Sequence, residues 1–91
     1  MLYMVKMQVN LPVDMPADKA DKLKADEKAL AQKLQHEGKW QSLWRVVGRY
    51  ANVSIFNVDN HDELHQLLSS LPLFPYMDIR VTALARHPSA I

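Results

Sequence analysis

The strongest constraint on the fold is the order in which the hydrophobic pattern switches between a period of two residues and one of 3.6. Residues 2–9 alternate between apolar and polar positions, which is typical of a strand with one buried face. Residues 17–37 are rich in strong helix formers, and Gly38 follows as a helix-ending residue. Residues 40–47 and 53–58 are β-branched and aromatic, so they are predicted to form a hairpin that turns over the five residues between them.

The second half of the chain repeats this switch. Asn60 and Glu63 form a capping-box-like helix start, and four leucines with helical spacing follow up to Pro72. Residues 77–83 alternate again, which predicts a last strand. The order β-α-β-β-α-β predicts a ferredoxin-like α+β fold, a four-stranded antiparallel sheet with two helices on one face. The other face is expected to need a second sheet or another subunit to cover it.

Composition narrows the class of protein. Ninety-one residues leave room for a single domain, 1–91. A formal net charge of +1 argues against a nucleic-acid partner. The chain has no cysteine, which is consistent with a reducing cytoplasm, and it lacks a leader-like pattern or an apolar run of membrane-spanning length. We therefore expect a cytoplasmic protein with no membrane partner.

A single glutamate interrupts the apolar stripe of the first helix. At about 100° per residue, Leu23, Leu30 and Leu34 lie on the same side of the helix as Glu27, so this side chain is expected to face the sheet. Apolar surroundings disfavour the charged carboxylate and raise its pKa, which suits a general base that takes a proton from carbon. Lys24, one turn earlier, can steady the Glu27 anion or receive negative charge from a substrate. The alternative is a structural ion pair of Glu27 with Lys24 or a strand arginine.

Other candidates have weaker patterns. Arg45 lies in an otherwise apolar strand, so it either reaches solvent or another subunit, or binds an anion in a pocket. Trp40 and Trp44 share one strand face by parity, as core or interface anchors rather than ligand-stacking rings. His61 and His65 have the i, i+4 spacing of metal ligands, but no third ligand follows from the spacing, and no metal site is expected.

Several segments are similar to the muconolactone Δ-isomerase family, nearly end to end. They are residues 1–7, 11–15, 23–28, 43–45 and 71–79, of which Leu-Lys-Ala-Asp-Glu-Lys (23–28) and Leu-Pro-Leu-Phe-Pro-Tyr-Met-Asp (71–78) are the most specific. The resemblance implies an isomerase without cofactor in the catechol branch of the β-ketoadipate pathway. It also implies a ferredoxin-like fold and a large homo-oligomer, typically a decamer.

The resemblance further implies a reaction and roles for its residues. Muconolactone, an unsaturated five-membered lactone with an acetate arm, becomes 3-oxoadipate enol-lactone when a proton moves from C4 to C2. This needs a base, a donor to the dienolate oxygen and a cation for the acetate. Glu27 is carried over as the base, Lys24 as the nearby cation and Arg45 as the partner of the acetate. Tyr3 or Tyr76 would donate to the oxyanion, and strand parity does not choose between them.

Two other classes of protein share this topology. A dimeric ligand-binding or assembly module without chemistry would use Glu27 only in a structural ion pair. An RNA-binding domain would need exposed aromatic residues on the central strands and basic surroundings. Two Trp, three Tyr and two Phe residues, together with the net charge of +1, argue against RNA binding.

Overall fold

The computed structural model describes residues 1–91 and has the predicted order of elements. They are β1 (Leu2–Val9), α1 (Ala17–His36), β2 (Trp40–Arg45), β3 (Ala51–Asn57), α2 (His61–Ser70), a 3-10 turn (Phe74–Tyr76) and β4 (Met77–Leu84). The predicted cap of α2 is confirmed, because the Asn60 side chain accepts a hydrogen bond from the Glu63 N–H at 2.8 Å.

The four strands form one antiparallel sheet in the order β2-β3-β1-β4. On the central strand β1, Tyr3, Val5 and Met7 are buried in a core that also contains Leu34 of α1 and Leu68 of α2. Both helices therefore pack on the same face of the sheet. The predicted ferredoxin-like α+β fold is confirmed.

The β2–β3 hairpin turns earlier than predicted. β2 ends at Arg45 and β3 begins at Ala51, so the reversal occupies residues 46–50. The Val46 N–H donates to the Ala51 carbonyl at 3.0 Å, and Gly48 has the positive φ (80°) that a tight turn favours. The apolar pattern extended the predicted strand to Val47, but this side chain lies fully in solvent because the turn has already begun.

A β-bulge changes the face on which the residues of β2 lie. Trp40 pairs with Phe56, and Ser42, two residues later, pairs with Ile55, which is only one residue from Phe56 along β3. One extra residue is therefore inserted into β2. Trp40 is buried and stacks on Phe56 with ring centroids 4.8 Å apart, whereas Trp44 lies on the opposite face and is 68% exposed. The prediction that both tryptophans share a face is wrong, since parity fails across a bulge.

The face of the sheet opposite the helices is uncovered. Leu2, Leu84 and Trp44 are exposed there, beside the partly buried Met4 and Ile55. On the helix side, a cavity lies between α1 and the β2–β3 hairpin, and this is the candidate site. No helix combines the length and the apolar character needed to cross a membrane.

Candidate active site

A cavity of about 560 Å³ lies between α1 and the hairpin end of the sheet. Its apolar lining consists of Val9, Ala31, Trp40, Leu43, Ala51, Leu73 and Met77, and its polar lining consists of Lys24, Glu27, Lys28, Gln32, Gln35, Arg45, Tyr50 and Asn52. Helix, central strand and hairpin thus all contribute to one concave surface. The volume is in the range of small-molecule sites.

Glu27 enters this cavity from α1. Its helical neighbours Leu23 and Leu30 are partly buried, as is Glu27 itself, so the position of the carboxylate in the stripe is the one that the helical period predicts. Glu27 Oε1 accepts a hydrogen bond from the Leu73 N–H at 2.9 Å. None of the salt bridges of the chain involves Glu27. The structural ion pair considered above is therefore not what holds this side chain.

Two opposing effects act on the pKa of Glu27, and burial is the larger. Loss of water around the carboxylate raises the pKa above the usual 4.5, while the Leu73 N–H lowers it, and the pKa remains raised. A carboxylate in this setting is a stronger base than a fully solvated one. The single backbone donor fixes its orientation without neutralising it.

Cationic side chains gather around Tyr50 at the mouth of the cavity. The Lys24 Nζ lies 5.7 Å and the Arg45 Cζ 5.2 Å from the centroid of the Tyr50 ring. Arg45 Nη1 also donates to the Arg49 carbonyl at 3.4 Å, which ties the guanidinium to the hairpin. The bulge in β2 brings Arg45 to this face, because it places Arg45 opposite Asn52 on the helix side. Lys24 and Arg45 therefore belong to the same cavity as Glu27.

Asn52 is a polar group that the sequence reasoning missed. Its Oδ1 accepts from the Ser54 hydroxyl at 2.8 Å, which leaves its N–H groups to donate toward the cavity. Tyr50 was also missed. Because β3 begins at Ala51, Asn52, Ser54 and Phe56 lie two residues apart on its inward face, and Ser54 is fully buried. Two polar residues on the inward face of a central strand could have indicated a site. The predicted strand began two residues too late, at residue 53, and so left Asn52 in the turn.

The two tyrosines proposed as oxyanion donors do not line the cavity. Tyr3 is buried near the other end of β1, where its hydroxyl hydrogen-bonds to Nδ1 of His61. Tyr76 lies in the 3-10 turn between two residues that do line the cavity, Leu73 and Met77. The structure thus brings Glu27 together with Lys24 and Arg45 but not with either of these phenols. The alternation in β1 predicts that Tyr3 lies on the buried face, which the structure confirms, but it does not indicate which end of the sheet holds the site.

Fold and cavity together define a class of protein: a small ferredoxin-like α+β domain whose cavity holds a half-buried carboxylate without an ion-pair partner. Comparison with known proteins narrows this class. The family model described as muconolactone delta-isomerase matches residues 1–90. The chain belongs to the muconolactone Δ-isomerase family.

Individual relatives agree with this assignment. The chain is 72% identical over its full length to the muconolactone Delta-isomerase of Cupriavidus pinatubonensis, of which it covers 99%, and 59% identical to that of Pseudomonas putida, of which it covers 95%. A crystal structure of muconolactone isomerase superimposes with a TM-score of 0.96 at 62% identity, over all of this chain and 95% of the other. A putative antibiotic biosynthesis monooxygenase from Deinococcus radiodurans, 12% identical over all of this chain and 99% of the other, has a TM-score of 0.51 and shares the fold alone.

Proposed function

We propose that this chain is a muconolactone Δ-isomerase that converts muconolactone to 3-oxoadipate enol-lactone with Glu27 as its base. The observation that carries the proposal is the Glu27 carboxylate: half-buried in the cavity, held by the Leu73 N–H and free of any salt bridge. Membership of the family supports the substrate, and the residues that line the cavity include a candidate for each role that the reaction requires.

The first step is removal of the proton on C4 by the Glu27 carboxylate. The pair of electrons from the C–H bond moves into the ring, and negative charge develops on the lactone carbonyl oxygen of a dienolate. Glu27, now protonated, gives the proton to C2, and the ring double bond ends one position away. Because the proton and electrons stay with substrate and base, the step balances without a metal or redox cofactor.

The acetate arm of the lactone needs a cation at the mouth of the cavity. Arg45 is our choice, because its guanidinium is anchored on the hairpin by the Arg49 carbonyl and lies over the Tyr50 ring. A guanidinium pairs with a carboxylate through two parallel hydrogen bonds, which would fix the ring relative to Glu27.

The dienolate oxygen needs positive charge or donors that are already in place. Lys24, one helical turn before Glu27, provides the charge, and the Asn52 amide provides N–H groups whose direction is set by Ser54. Asn52 thereby takes the role first considered for Tyr3 or Tyr76. A dry cavity strengthens both interactions.

Assembly and location are further parts of the proposal. The exposed Leu2, Trp44 and Leu84 on the uncovered sheet face support a homo-oligomer, and the family resemblance implies a decamer. The site is proposed to work in the cytoplasm on a small-molecule lactone.

The test is turnover of muconolactone by the purified chain in D₂O, followed by NMR. The expected result is 3-oxoadipate enol-lactone in which hydrogen from C4 is found at C2, since one carboxyl group removes and returns the proton; deuterium enters C2 only to the extent that the acid form of Glu27 exchanges with solvent before the return. Bovine serum albumin at equal mass serves as the protein control. If the lactone binds but no enol-lactone forms, the chain is a binding module and the proposal is wrong.

A further inference from the structure

A second cavity, of about 400 Å³, lies on the opposite side of the sheet from Glu27, near the β2–β3 hairpin. Lys6 of β1, Arg80 of β4 and Arg49 of the hairpin line it, and Asp78 is its only carboxylate. Three cations thus face one anion in a chain whose overall charge is only +1. The proposed isomerisation uses none of these side chains.

The register of the sheet makes this cluster costly without an anion. Lys6 and Arg80 are directly paired across β1 and β4, where side chains on the same face lie close together and like charges repel. The salt bridges of the chain are Lys22–Asp26, Lys33–Glu37 and Lys39–Glu63, so Asp78 does not neutralise either cation at a distance of 4.0 Å or less.

Arg49 is held in place by the turn. Its N–H donates to the Val46 carbonyl at 3.1 Å, and its carbonyl accepts from Arg45 at 3.4 Å. These bonds fix the backbone of Arg49, so the turn sets the position from which its side chain reaches the cavity.

We propose that Lys6, Arg49 and Arg80 form a carboxylate-binding site separate from the isomerase cavity. The planar fork of a guanidinium matches a carboxylate, and an anion between Lys6 and Arg80 turns their repulsion into two attractions. Asp78 disfavours a densely charged dianion such as phosphate, so a group with one charge on each carboxylate fits best. The carboxylate comes from a free small acid or from another copy of the chain.

The free-acid source is tested by calorimetric titration of the full-length protein with sodium succinate at constant ionic strength. Saturable binding is expected for the wild type, at least tenfold weaker in Lys6→Gln and in Arg80→Gln. Arg86→Gln removes the same charge from the exposed tail beyond β4 and is expected to bind like the wild type. Inorganic phosphate is expected to bind more weakly than succinate.

The second source is tested by sedimentation of the same proteins. If the carboxylate belongs to a neighbouring copy, succinate does not bind, and Lys6→Gln and Arg80→Gln lower the mass of the assembly while Arg86→Gln and Arg80→Lys do not. The proposal is overturned if neither binding nor mass responds to Lys6→Gln and Arg80→Gln, or if Arg86→Gln changes them equally. Both variants are expected to fold, since each removes a repulsive charge from an exposed position.

Discussion

Two helical glutamates near opposite ends of the helix layer have opposite surroundings. Glu63 of α2 accepts from Lys39 Nζ at 3.1 Å and from the Asp59 N–H at 3.2 Å, and these contacts lower its pKa. Glu27 of α1 has one backbone donor, and burial raises its pKa. The Glu63 carboxylate joins α2 to the residue that precedes β2, whereas the Glu27 carboxylate lies in a cavity with no cationic partner.

Under the proposed function, this difference separates a glutamate that stabilises the fold from one that serves the reaction. A glutamate that meets a lysine and a backbone donor is satisfied and serves stability. A glutamate with a single neutral donor in a drier place keeps its basicity at some cost to stability, a compromise that is common at active sites. Five predictions test whether the surroundings of these two glutamates lead to different roles.

The largest effect is expected from exchanging each carboxylate for an amide. Glu27→Gln should lower kcat by about 10² to 10⁴, the usual contribution of a general base, while the amide oxygen still accepts from Leu73. Glu63→Gln should keep kcat and lower the melting temperature, because the Lys39 contact is weakened. Steady-state kinetics and thermal melts of both variants provide the comparison. Equal kcat values for the two variants would remove the distinction between the two ends.

The next effect concerns the cation at the cavity mouth. Arg45→Gln should raise KM by about 10-fold to 100-fold with a smaller change in kcat, since a lost charged hydrogen bond costs about 1.5–3 kcal/mol. Arg86→Gln, with the same loss of charge in the tail, should leave both constants unchanged. A fall in kcat at constant KM would instead assign Arg45 to the transition state.

The third prediction concerns pH. Because Glu27 must be ionised to act, kcat/KM should rise with pH through a pKa above the ordinary glutamate value of 4.5.

The stability effects of the two groups have opposite signs. The raised pKa of Glu27 means that the folded state holds the proton more tightly, so its contribution to stability falls as pH rises from the unfolded pKa to the folded one. The lowered pKa of Glu63 gives stability that is present above its unfolded pKa and is lost as pH falls through the folded one. Melting curves against pH for wild type, Glu27→Gln and Glu63→Gln check both signs, and matching slopes for the two variants would refute the assignment.

The smallest effect is expected at Tyr3, near the end of the sheet away from the cavity. Tyr3→Phe removes the hydroxyl that bonds to His61 and should lower the free energy of unfolding by about 1 kcal/mol while kcat stays the same. Urea denaturation and the NMR assay measure the two quantities. A large fall in kcat with normal stability would instead show that the Tyr3 hydroxyl takes part in the reaction.

The sequence was sufficient to predict the order of the elements and the side on which Glu27 lies, because both follow from local periods. It did not predict the bulge in β2, since a single inserted residue leaves no trace in an apolar pattern. That insertion places Trp40 and Trp44 on opposite faces and brings Arg45 to the face where the cavity lined by Glu27 lies. The Leu73 N–H was equally hidden, because nothing in the composition of either segment indicates that they touch.

The hydrogen bond from Leu73 to Glu27 joins residues 46 positions apart. Between these two residues the chain forms part of α1, the β2–β3 hairpin and α2. The orientation of the Glu27 carboxylate therefore depends on how the second half of the chain packs on the first, and a substitution that shifts the segment after α2 would misdirect a side chain far away in sequence.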